Sequence, residues 1–149
     1  DKIIKFLVNI AESEKLKLSR DQLLYIQDLY KSDIRSMINF MQSNNMISHR
    51  KFKIIKTDIW ISLLELCNKR APVANIRKKI SRISITYNIP QQYVIYKFVN
   101  YLMREQIELV TGEFLRSIEN YYHAESDNYN HFIHGMIYVL IYYLGADNV

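Results

Sequence analysis

Apolar residues recur along most of this chain at intervals of three and four, the spacing of one face of an α-helix. In DKIIKFLVNIAESEKL the positions Ile3, Phe6, Leu7 and Ile10 share a face. Ser19 stands before RDQLLYIQDLY, where it can cap a second helix with Leu23, Ile26 and Tyr30 on one side. Ser32 or Asp33 caps a third helix, which carries Ile34, Met37, Ile38 and Met41 inward. Residues 1–46 therefore read as a three-helix unit. The stretch NNMISHRKFKIIKTD breaks the pattern, and its polar start and basic run mark residues 47–56 as a linker.

Residues 57–149 read as five further helices. Thr57 or Asp58 caps the first, DIWISLLELCNK. The second follows Ala71, with Pro72 near its first turn, where a proline is tolerated, and Ile76, Ile80 and Ile83 on its inner face. The third starts at Pro90 and turns Val94, Ile95, Phe98, Val99 and Leu102 inward. A fourth is expected over residues 105–124, with Ile107, Val110, Phe114, Ile118 and Tyr121 on one side. The last runs from Tyr129 to Leu144 and stops at Gly145. Its apolar residues, Phe132 to Leu144, cover most of its circumference, so it must be buried nearly all round. Two arrangements satisfy that: a subunit interface, or the central place in its own bundle.

Composition agrees with helices joined by few turns. The 149 residues include only 3 Gly and 2 Pro, too few for the turns of an all-β fold. The fold class is all-α. A start at Asp1 in full periodic pattern suggests a portion of a longer polypeptide. The longest near-apolar run, MIYVLIYYL, is far short of the roughly 20 residues that span a bilayer, so the chain reads as soluble. One cysteine, Cys67, rules out an internal disulfide framework and suits a reducing compartment. Its place on an apolar helix face makes it a core residue.

Charge divides the chain. Residues 1–48 carry 7 Lys/Arg and 6 Asp/Glu, residues 49–82 carry 10 against 2, and residues 83–149 carry 3 against 7. A basic middle beside an acidic end fits nucleic-acid contact, neighbouring subunits of complementary charge, or a solvated helix face. The basic side chains are Arg50, Lys51, Lys53 and Lys56, then Lys69, Arg70, Arg77, Lys78, Lys79 and Arg82, and residues 69–82 interleave no aromatic residue to stack bases.

Specific chemistry is sparse. The chain has no G-x-x-x-x-G-K-[ST] loop, so it cannot cradle a nucleoside triphosphate alone. It has no Ser/His/Asp or Cys/His grouping with a credible nucleophile. His131 and His134 lie three apart on a helix, but two histidines with no nearby cysteine or carboxylate pair do not make a metal site. Arg35 is different. In KSDIRSMINFMQSNN it falls in the first turn of a helix, where outward N–H groups favour anions and a guanidinium adds a forked donor suited to phosphate. The plainer reading is one solvated charge beside a capping carboxylate.

The run LVNIAESEKLKLSRDQLLYIQDLYKSDIRSMINFMQ resembles the helical lid of AAA+ clamp-loader ATPases, nearest to the replication factor C small subunits. That family reads Ile-Ala/Cys-x-x-Glu, a second helix, then Gly-Asp-x-Arg-x-x-Ile/Leu-Asn-x-x-Gln. Asp33, Arg35, Asn39 and Gln42 stand at the matching positions, and Ser32 replaces the usual glycine. The resemblance is specific over residues 3–44 and rests on length and pattern beyond them. It implies a three-helix lid over residues 1–46 and a collar-type bundle of about five helices over residues 57–149. Arg35 would be the sensor 2 residue that reaches the γ-phosphate of ATP. It further implies ATP with Mg in the parent protein and no cofactor in this portion, which should be inactive as an ATPase alone. The implied partners are the other subunits of a hetero-pentamer joined through the collar, a sliding clamp and primer–template DNA. The implied location is intracellular, in a nucleus or at a viral replication site. The alternative is a non-enzymatic helical module that binds nucleic acid or partner proteins through the basic helix.

Overall fold

The computed structural model describes residues 2–46, 53–123 and 129–145, with the side chains of 45, 46 and 123 left aside. Among the described residues there are eight α-helices and no strand. The chain divides into two compact units, Asp1–Ile55 and Lys56–Val149. Of the expected linker, residues 47–52 lie outside the described residues, and Arg50 and Lys51 with them.

The first unit holds α1 (Lys2–Ser13), α2 (Arg20–Tyr30) and α3 (Ile34–Met46), each in contact with the other two. Ser19 caps α2 through a full capping box. The Gln22 amide donates to Ser19 Oγ at 3.3 Å, and the Ser19 amide donates to Gln22 Oε1 at 2.8 Å. The core is Ile4, Leu7 and Ala11 from α1, Leu23, Ile26, Leu29 and Tyr30 from α2, and Met37, Phe40 and Met41 from α3. This differs in part from the expected face of α1. Of Ile3, Phe6, Leu7 and Ile10, Leu7 is buried as expected, but its inward neighbours are Ile4 and Ala11, which leaves Ile3 and Ile10 half-buried and Phe6 44% exposed. Ile34 is likewise 38% exposed, while Phe40 takes an inner place and its ring meets Tyr30 at 5.6 Å. Between α1, the following loop and α2 lies an open groove of about 590 Å³, lined by Ile4, Val8, Leu16, Leu18, Leu23 and Leu24.

The second unit holds α4 (Thr57–Asn68), α5 (Val73–Tyr87), α6 (Gln91–Glu105), α7 (Gly112–His123) and α8 (Tyr129–Leu144). Pro72 and Pro90 stand at the N-caps of α5 and α6. Asn88, in the left-handed conformation, ends α5, and its amide donates to the Ser84 carbonyl. Neither Thr57 nor Asp58 caps α4. Its N-cap is Lys56, which makes no side-chain cap bond, and Asp58 sits in the first turn instead. The expected helix over residues 105–124 is broken. A short 3-10 turn, Ile107–Leu109, precedes α7, and Thr111 Oγ1 accepts the Phe114 amide at 3.1 Å. That hydroxyl starts a new helix, so Ile107 is 64% exposed rather than inward.

The last helix occupies the centre of this unit. It packs against α4, α5, α6 and α7, with Ile133, Met136, Ile137 and Leu140 fully buried. Of the two arrangements open from periodicity, the structure has the central one. Gly135 makes it possible on the α7 side, because the Tyr121 ring lies where a Cβ at this position would project. Among the described residues no polar or charged side chain is buried. No described helix is long and apolar enough to cross a membrane.

Candidate functional site

The turn before α3 is built around one unusual residue. Lys31 ends α2 at φ 59°, ψ −98°, a backbone region that favours glycine. Its amide donates to the Gln27 carbonyl at 2.7 Å, and its ammonium meets Asp28 Oδ1 at 2.7 Å. The positive φ thus falls on Lys31, and Ser32 has an ordinary backbone, so serine in place of glycine at 32 adds no strain.

Asp33, rather than Ser32, caps α3. Its Oδ1 accepts the Ser36 amide at 3.0 Å and its Oδ2 accepts the Ser36 hydroxyl at 2.7 Å. Arg35 follows two residues later, exposed to solvent, with no hydrogen bond or ion pair to any described residue. Its guanidinium is therefore unspent at a helix start whose backbone favours an anion. Asn39 and Gln42, on the same helix, are exposed as well.

The second unit carries the basic surface. Lys56, Lys69, Arg70, Lys78 and Arg82 are exposed, and Arg77 and Lys79 are half-buried. Arg77 donates from Nη2 to Asn130 Oδ1 at 2.7 Å, tying α5 to the start of α8. At the other end of α8 the Arg70 side chain lies against Gly145, where an added Cβ would come within 2.6 Å of Nε.

Comparison with protein-family models, with curated proteins and with solved structures returns no match.

The outward face of α8 was not visible as a site in the sequence. His131, His134, Tyr138 and Tyr142 point to solvent, Tyr138 54% and Tyr142 75% exposed. The His134 ring meets Tyr138 edge-on at 4.9 Å, and Tyr142 meets Tyr143 the same way at 4.8 Å. Tyr143 is held in turn by Phe114 at 5.6 Å and by a 3.0 Å hydrogen bond with the Ser117 hydroxyl. The signal was the i, i+3, i+7, i+11 spacing from His131, masked by the apolar residues around it. Among the described residues no three His, Cys, Asp or Glu come together as metal ligands, and His131 and His134 have no third donor beside them. Cys67 is fully buried, and burial pushes its thiol up to about 12, far from the thiolate a nucleophile needs.

Proposed function

We propose that this chain is the lid and collar portion of an AAA+ clamp-loader subunit of the replication factor C small-subunit type. Arg35 acts as its sensor 2 residue, contacting the γ-phosphate of ATP that the nucleotide-binding domain of the same polypeptide holds with Mg. The five-helix unit joins sibling subunits in a pentamer that loads a sliding clamp on primer–template DNA, within a nucleus or viral replication site.

The observation that carries this reading is Arg35 itself. It is an exposed arginine without a partner among the described residues, in the first turn of α3, behind an aspartate cap. A solvated charge needs no such placement, whereas a phosphate sensor does. Since the apolar side of α8 is covered within its own unit, assembly falls to outward apolar side chains of the other elements, among them Ile61, Ile85 and Ile107. The exposed carboxylates Glu105, Glu108, Glu113 and Glu119 give a neighbour's basic α5 a complementary surface.

A second reading keeps the chain non-enzymatic and has α5 meet nucleic acid. Lys78 and Arg82 favour it, being exposed and without an ion pair among the described residues. The two readings part at the gene. A clamp loader predicts a strand followed by G-x-x-x-x-G-K-[ST] within about 200 codons upstream of Asp1, roughly one domain. A reading frame with no phosphate loop there overturns the ATPase assignment and leaves the helical module.

A further inference from the structure

We propose that the outward face of α8 is a binding site for single-stranded nucleic acid, with Tyr138 and Tyr142 stacking on bases and Arg70 and Arg77 meeting the backbone phosphates. The site uses neither Arg35 nor Lys78 and Arg82 of α5, and rests on neither reading above.

Tyr138 and Tyr142 are the most exposed aromatic rings of this unit, one helical turn apart on one face. Successive turns separate them by about 6 Å along the axis, against about 3.4 Å between stacked bases of a duplex. Rings at this spacing suit bases that have come apart, and a duplex keeps its base faces hidden. Each ring is held by a neighbour, His134 at Tyr138 and Tyr143 at Tyr142, so neither starts fully free. Such preordering lowers the entropy lost on binding.

Charge selects the ligand. From Tyr129 to Leu144 the helix carries no Asp, Glu, Lys or Arg, so the ring face holds no carboxylate to repel a phosphate strand. A guanidinium stands at each end: Arg77 at Asn130 and Arg70 against Gly145. The segment from Lys56 to Arg82 that supplies both holds seven Lys/Arg against Asp58 and Glu65 alone. Neutral aromatic rings between cationic ends match a strand that offers bases in the middle and phosphates along its length. A protein partner would have to bring acids to both ends of an apolar strip, a narrower requirement than any single strand meets. Sequence order concealed the arrangement, since the arginines and tyrosines lie some 60 residues apart and only the packing of α8 beside α4 and α5 joins them.

The test is fluorescence anisotropy of a labelled oligo(dT) of about 20 nucleotides, longer than one such footprint, titrated with the full chain. Binding that weakens from about 50 to 200 mM salt, and is tighter than binding of a duplex of equal length, is expected. Tyr138→Ala with Tyr142→Ala should weaken it about fivefold or more, with circular dichroism unchanged, and Tyr142→Trp should retain it. Four outcomes overturn the proposal. These are no binding, equal binding of strand and duplex, and loss on charge reversal at Lys78 and Lys79 but not on removal of the two rings. The last is self-association of the chain that Tyr142→Ala abolishes without any oligonucleotide binding, which would make the face a protein interface.

Discussion

The two units solve burial differently. In the first, three short helices close over a thin core, Phe6, Leu24 and Ile34 remain substantially exposed, and an open groove lies between α1 and α2. In the second, a helix without a charged residue sits among four others and is covered on every side but one. A unit of about 55 residues cannot bury as large a share of its surface as one of about 94 can. The small unit is therefore held by local devices: the capping box at Ser19 and the aspartate cap at Asp33. The large unit is held by packing. Each displays its candidate chemistry where it has spare surface, at a helix start in the small unit and on the uncovered side of α8 in the large one.

The sharpest way to break that contrast is in the packed unit. Phe98 is fully buried, with Trp60 at 6.2 Å and Tyr101 at 6.3 Å. Phe98→Ala should cost about 3–5 kcal/mol, read from urea unfolding followed by Trp60 fluorescence. Gly135→Ala comes next. The new methyl would meet the Tyr121 ring and force it aside, at about 1–3 kcal/mol. Adding Tyr121→Ala should make the second change nearly silent, and a cost that persists in the Tyr121→Ala background would show that the glycine acts otherwise. In the small unit the expected effects shrink. Asp33→Ala removes the α3 cap and should cost about 1 kcal/mol, seen as lost helicity at the same denaturant concentration.

Much of this fold was written in local pattern. The capping box at Ser19 and Gln22, the prolines opening α5 and α6, and the inner lines Ile76–Ile80–Ile83 and Val94–Phe98–Leu102 all follow from residues close in sequence. The misreadings share a cause. α1 has apolar residues on two faces, and which one turns inward is decided by α2 and α3. Ile107 and Val110 continue a helical spacing, yet the Thr111 hydroxyl restarts the helix after them. Periodicity shows that α8 is apolar nearly all round but cannot say what covers it. The candidate sites divide the same way. Arg35 and its cap are local grammar within one turn, held by two Asp33–Ser36 hydrogen bonds, while Arg70 and Arg77 reach the two ends of α8 only once segments some 60 residues apart fold together.

Arg35 is the central claim, and one paired measurement addresses it. In the longer polypeptide proposed above, Arg35→Ala should leave unfolding free energy within about 0.5 kcal/mol of the unsubstituted protein, because the side chain is exposed and has no partner among the described residues. The same variant should assemble with its sibling subunits and yet lose most ATP-dependent loading of the sliding clamp. Loading at the parent's rate, with stability unchanged, would show Arg35 to be a solvated charge at a helix start and would contradict the account.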